Sequence, residues 1–338
     1  MNRTTKILAI GITVLLAAAA GFGAWFAHYS HDRRSFERYP VEFSISEGSS
    51  LRTVAEKLGR AGIVEHPLAF VLLGRVQGQA AQIKAGDYEI KQATSPIELL
   101  QKIAAGDVAQ RSITFVEGWT FRDMRKALDI HEGLRHETTA MSDQQILALI
   151  GAEESHPEGL FFPDTYHFSK GSSDVAVLKR AYLKMKTHLA EHWAKRSADV
   201  PFKDPYEALI FASIVEKETG AEPDRPLVAA VFINRLRHNM LLQTDPSVIY
   251  GLGETFDGNL RKRDLLADGP YNTYTRPGLP PTPIAMPGLA SLQATFEPAR
   301  SAALYFVSRG DGTSEFSETL TEHNRAVMKY QKTPRQHP

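Results

Sequence analysis

Two glutamates, Glu216 and Glu218, close the stretch from Asp204 to Gly220, whose interior is otherwise largely apolar. A carboxyl group can donate a proton and take it back, provided its pKa lies near the working pH. Asp204 suits a helix N-cap, Pro205 the first helical position, and Gly220 the C-terminal exit. Between them, the run Ala208 to Val215 spreads apolar side chains around most of a helix circumference, so the helix should be largely buried. A buried carboxylate is costly unless it is paired or neutral. At helical pitch the two glutamates point roughly 200° apart. Glu216 turns toward Leu209, Ser213 and the polar arc of Lys217, whereas Glu218 falls beside Phe211, Ile214 and Val215. Glu218 also sits in the last turn, where the helix dipole disfavours negative charge. Both effects favour Glu218 as the proton donor, with Glu216 as second choice. That both merely form surface ion pairs stays open on these residues alone.

Further along, amides, hydroxyls and tyrosine rings gather in turn-rich sequence. Leu242 to Pro246 contributes Gln243, Thr244 and Asp245; Tyr250 follows, and then Asn272 and Tyr274. Flat rings for stacking and planar hydrogen-bonding groups for hydroxyls and acetamides are the chemistry of a sugar-binding cleft. Each group alone reads as a turn; together, after a buried glutamate, they read as substrate-binding candidates.

Other chemistries are poorly supported. The chain has 39 basic and 39 acidic side chains, 12 histidines and no cysteine. Zero formal charge removes the usual electrostatic footprint of a nucleic-acid binder. Without cysteine there are no disulfides, no thiol nucleophile and no thiolate metal site. The nucleophile elbow G-x-S-x-G is missing. Ser213 is followed by Lys217, one position too far for S-x-x-K, and His131–His136 is one residue too long for H-E-x-x-H. Gly251-Leu252-Gly253 lacks a third glycine. No metal and no cofactor is expected.

These residues need elements to hold them. Ile7 to Ala27 carries no charge and would span about 31 Å as a helix, the thickness of a bilayer core. Trp25 and Tyr29 at its far end suit an interface. A cleaved signal peptide is the competing interpretation, but the apolar run is longer than usual for one. The positive-inside count is nearly tied, with Arg3 and Lys6 before the span and Arg33 and Arg34 after it. The expected organisation is a cytoplasmic tail at 1–6, a transmembrane helix at 7–27 and a connector at 28–40. A small module at 41–108 and a larger catalytic domain at 109–338 complete it, with everything after the span in the periplasm. Strand Val41–Ile45, helix Leu51–Ala61 capped by Ser49 or Ser50, a helix at 68–76 and strand Gly86–Ile90 make the module, whose order resembles a LysM-type unit that binds N-acetylated glycans. Helices at 95–105, 120–130 and 175–195, a strand at Ser112–Val116 and an aromatic stretch at 151–169 follow. The fold class is α+β, with no internal repeat and no βαβ series.

The chain resembles the MltG (YceG-like) family of membrane-anchored endolytic murein transglycosylases. The resemblance is densest from Ala212-Ser213-Ile214-Val215-Glu216-Lys217-Glu218-Thr219 through Pro283. It includes Glu117-Gly118, Phe162-Pro163-Asp164-Thr165-Tyr166 and Glu322-His323-Asn324. Where the family usually has a histidine two positions before the phenylalanine of a late hairpin, this chain has Ser314 before Phe316. The resemblance implies non-hydrolytic cleavage of the β-1,4 bond between N-acetylmuramic acid and N-acetylglucosamine, leaving 1,6-anhydro ends. An ordinary glycosidase uses two carboxylates. Here the sugar's C6 hydroxyl would be the nucleophile, so Glu218 could serve first as acid and then as base. The resemblance also implies association with peptidoglycan synthases and termination of growing strands. Two alternatives remain: a non-catalytic, membrane-anchored peptidoglycan-binding protein and a hydrolase that transfers the sugar to water.

Overall fold

The computed structural model describes residues 3–332; residues 1–2 of the expected tail and 333–338 of the expected catalytic domain lie outside them. The described chain is a mixture of helices and short two-stranded sheets, α+β in class. It divides into two compact units, residues 1–111 with 168–171, and residues 112–167 with 172–338.

The first unit begins with one long apolar helix, Arg3–His31, whose stretch Ile10–His31 is long and apolar enough to cross a membrane. It runs one turn beyond Ala27, so the first residues of the expected connector are helical. The reason is packing: Phe26 lies against the core of this unit and Tyr29 is buried. The rest of the connector is also tied down. Arg34 and Thr94 exchange backbone hydrogen bonds at 3.0 and 3.2 Å, and Phe36 packs on the core.

Strand Val41–Ile45 pairs antiparallel with Gly86–Ile90, Val41 opposite Ile90 and Ile45 opposite Gly86. Between them lie helices Leu51–Arg60 and Pro67–Val76. Ser50 is the residue that caps the first, accepting from the Thr53 amide. Helix Pro96–Ala105 closes the unit, with a reciprocal cap between Ser95 and Glu98. Phe43 stacks on the fully buried Tyr88 at 5.3 Å, over Leu58, Phe70, Leu100 and Ile103. Gly74 permits this packing, because a Cβ there would sit 2.3 Å from Leu51.

The second unit is built around helix Pro205–Glu218. Asp204 caps it by accepting from the Glu207 amide, Pro205 takes the first position, and every residue from Ala208 to Val215 is buried. Helices Asp174–Lys195, Arg225–Arg237, Asp245–Leu252 and Leu289–Phe296 pack around it. Asp174 is fully buried at the head of its helix and accepts from Glu137 N, Thr138 N and the Thr138 hydroxyl. Late in the chain, Tyr305–Ser308 and Ser314–Ser317 form an antiparallel hairpin, followed by helix Leu320–Val327.

The strand expected at Ser112–Val116 lies instead at Gln110–Thr114. Its alternation was informative about facing, since Ile113 and Phe115 are both buried. Its end was not legible, because Val116 is exposed and leads into the Glu117-Gly118 turn, where Gly118 has φ +77°.

Candidate active site

Glu218 ends the central helix, and the next residue, Thr219, is already extended. Its side chain enters a cleft of about 460 Å³ lined also by Phe232, Arg235, Gln243, Asp245 and Tyr274, with Phe306 and His323 closing it from the hairpin and last helix. The Thr244 hydroxyl, buried on its own residue, donates to Glu218 Oε1. Among the described residues Oε2 accepts no protein hydrogen bond, and neither Glu216 nor Glu218 forms an ion pair. Burial raises the Glu218 pKa above the ordinary carboxyl value; the Thr244 hydrogen bond opposes the rise, Asp245 adds to it and Arg235 opposes it. Burial thus disfavours the charged form of this carboxyl group, while Thr244 and Arg235 favour it.

Arg235 is the fixed positive group of the cleft. It is buried in helix Arg225–Arg237, where its Nε donates to Leu304 O at 2.7 Å and its Nη1 to Leu242 O at 2.8 Å. These bonds hold the hairpin and the 241–245 segment to one helix. Asn234 on the same helix adds bonds to Ser301 O and Ala303 O. Tyr305 lies beneath the guanidinium at 5.4 Å and stacks on His323 at 5.3 Å. Burial, with Arg235 nearby, lowers the His323 pKa, and its buried Nδ1 has no hydrogen-bond partner among the described residues.

Gln243 and Asp245 are exposed on the cleft wall. Gln243 has φ +54°, a conformation that few side chains accept, and its amide is pinned to Thr273 O at 3.1 Å. That turn points Thr244 inward, where its amide bonds the Thr273 hydroxyl. Tyr274 donates to Asp245 Oδ1 at 2.5 Å, and desolvation together with that carboxylate raises the phenol's pKa.

Glu216 has a different job. Its Oε2 accepts from Gly288 N at 2.9 Å and Ser291 Oγ at 2.7 Å, fastening helix Leu289–Phe296 to the central helix. Glu117 lies beside it, against Gly288, and burial with the Glu216 charge raises the Glu117 pKa. Asn272 is buried, and its amide nitrogen spans Asp264 O, Leu265 O and Ala267 O while its oxygen accepts from Tyr274 N. It shapes the loop that carries Tyr274 and does not line the cleft. Tyr250 also lies off the cleft wall: it donates to Glu158 Oε2 at 3.1 Å and meets Tyr271 edge-on at 5.0 Å. Glu158 itself is 3% exposed, takes Phe121 N on its other oxygen at 3.0 Å, and is pushed up to about 7 by desolvation.

A model of the YceG-like family matches residues 43–329, which contain every cleft residue named above. The chain belongs to the YceG-like family. This YceG-like chain is 31% identical over 314 residues to the endolytic murein transglycosylase of Bacillus subtilis, covering 86% of this chain and 84% of that one. It is 26% identical to the endolytic murein transglycosylase of Streptococcus pneumoniae strain D39, covering 96% of this chain and 65% of that longer protein. The crystal structure of a yceG-like protein from Listeria monocytogenes superposes with a TM-score of 0.55 at 28% identity, covering 85% of this chain and 98% of that one.

Reading the sequence missed Arg235 and His323 as cleft residues. Arg235 did leave a signal, a charge amid Val231-Phe232-Ile233 and Leu236 in a buried stretch. His323 belongs to the Glu322-His323-Asn324 segment of the resemblance, but no local signal places it in the cleft, which it reaches only through the fold of its helix.

Proposed function

We propose that this chain is an endolytic peptidoglycan lytic transglycosylase that cuts the β-1,4 bond between N-acetylmuramic acid and N-acetylglucosamine and leaves 1,6-anhydro ends. The relatives' shared description supports the activity, and the observation that carries the residue assignment is the cleft carboxyl of Glu218. With Oε1 held by Thr244, a proton on Oε2 is directed at the leaving glycosidic oxygen. Bond breaking leaves Glu218 ionised, where the Thr244 hydroxyl and the Arg235 charge stabilise it. The same oxygen then takes the proton of the C6 hydroxyl as that oxygen closes on the anomeric carbon. Charge is balanced through the cycle: one proton leaves the acid and one returns, and no water is consumed. The substrate acetamide can assist at the anomeric carbon. Gln243, Asp245 and Tyr274 are the wall groups that meet sugar hydroxyls, and the His323 imidazole offers a further polar group.

In the same reading, Ile7–Ala27 is a retained span of the inner membrane, the remainder lies in the periplasm, and the strand–helix–helix–strand module is a LysM-like holder of glycan. The ordered connector then keeps the first unit close to the bilayer, suited to newly made strands beside the synthases and to ending their elongation. The test is mass spectrometry of purified glycan strands after incubation with the full chain in detergent. Anhydro ends are expected, reducing ends would indicate a hydrolase, and uncut strands a binder. Glu218→Gln should abolish cleavage with thermal stability retained, whereas full activity in Glu218→Gln with loss in Glu216→Gln would sink the assignment.

A further inference from the structure

Helix Pro67–Val76 has no acidic residue, and Arg75 is its one charge. One face, Ala69, Phe70, Leu73 and Gly74, is buried in the core of the first unit. The opposite face is apolar too: Leu68, Leu72 and Val76 are 77%, 36% and 66% exposed. Their spacing of four residues aligns them in a stripe along about 12 Å of helix. A helix that is apolar all round is normally covered on all sides. This one cannot rotate to bury the stripe, because Gly74 is in close packing against Leu51 and Leu100 on the inner face.

What covers the stripe is indicated by where the helix starts. His66, the residue before Pro67, lies 5.5 Å from the Trp25 ring and 5.7 Å from the Tyr29 ring, and its carbonyl accepts the Tyr29 hydroxyl at 3.2 Å. Trp25 and Tyr29 stand at the end of the apolar anchor, the position of interfacial rings. The exposed stripe therefore begins at the level where the anchor leaves the hydrocarbon. Arg75, exposed near the far end of the helix, suits lipid phosphate.

We propose that the Leu68–Leu72–Val76 face of helix Pro67–Val76 lies flat on the bilayer that the anchor spans, with these three side chains inserted at headgroup depth. The inference rests on the membrane-anchor reading above. It makes the first unit a two-point attachment, one helix crossing the membrane and one resting on it, which restrains swivelling about the anchor axis.

The absence of cysteine makes the test clean. Full-length Leu68→Cys, Val76→Cys and Val14→Cys variants are each labelled with an environment-sensitive fluorophore and reconstituted in phosphatidylethanolamine–phosphatidylglycerol vesicles. Quenching is compared between lipids carrying a nitroxide near the headgroup and lipids carrying one deep in the acyl chain. The expected result is preferential headgroup quenching at both 68 and 76, with deep quenching at 14. Deep quenching at 14 with no quenching at 68 and 76 overturns the inference and leaves the anchor standing. Quenching at 68 but not at 76 also overturns it, since the helix then rises away from the membrane. No quenching at any site overturns the anchor reading and this inference together.

Discussion

Removing the Thr244 hydroxyl isolates the electrostatics of Glu218. In Thr244→Val the buried side chain keeps its shape, but Glu218 Oε1 loses its donor. A hydrogen bond to a charged group is worth roughly 1.5–3 kcal/mol, and one pKa unit corresponds to about 1.4 kcal/mol. That bond favours the ionised carboxylate, so its loss raises the Glu218 pKa further, by roughly 1–2 units. An acid that works protonated loses activity as pH rises through its pKa. The high-pH fall in kcat/KM for strand cleavage should therefore move upward by about the same 1–2 units. The midpoint is the readout, not the amplitude, because the substitution also touches the cleft wall. Thr244→Ser should keep the wild-type midpoint. A Thr244→Val enzyme with wild-type Tm and an unmoved or lowered midpoint would refute the assignment of that limb to Glu218.

Glu158 has its folded pKa raised to about 7 by burial, against an ordinary 4.5. For a raised pKa the stabilisation is complete below the unfolded value and is lost as pH climbs through the folded one. Glu158 should therefore account for a loss on the order of 3 kcal/mol between pH about 4.5 and 7, so Glu158→Gln should lose about that much less than wild type over that window in urea unfolding. Asp174→Ala leaves Glu137 N, Thr138 N and the Thr138 hydroxyl without their acceptor, at a cost of about 3–5 kcal/mol in the same assay, with Asp174→Asn losing less. Gly159 has φ +78°, and a Cβ there would lie 2.5 Å from the rigid ring of Pro283, so Gly159→Ala should cost about 2–4 kcal/mol and lower Tm.

The central helix was legible residue by residue, because Asp204, Pro205 and the unbroken apolar run are local signals that act at the place they are read. The direction of its two glutamates was legible for the same reason: helical pitch fixes it. Glu216, however, was placed on a polar arc, and its real partners, Gly288 and Ser291, are more than seventy residues away, beyond any periodicity. The downstream polar residues were recognisable as a group but not as individuals. Asn272 and Tyr274 are two positions apart, yet the amide is spent on backbone carbonyls inside the loop and the phenol reaches Asp245. In a loop no fixed pitch says which side chain faces in. Tyr250 went astray similarly, since its partner Glu158 lies 92 residues earlier. The module's strands matched at Val41–Ile45 and Gly86–Ile90 because Ser46–Ser50 and the residues after Ile90 mark the breaks in sequence.

The last wall of the cleft is supplied by Phe306, Val307, Ser308, His323 and Val327, from the hairpin Tyr305–Ser317 and the helix that follows it. Ribosomes make a chain from its amino end, so the apolar helix and Glu218 both emerge long before that wall exists. During synthesis the Glu218 carboxyl is thus present before the Tyr305–His323 stack forms, and Arg235 lacks the Leu304 carbonyl that orients it. The order of translation therefore builds the Glu218 carboxyl before the wall that completes its cleft, so the cleft can assume its full shape only once the chain is nearly finished.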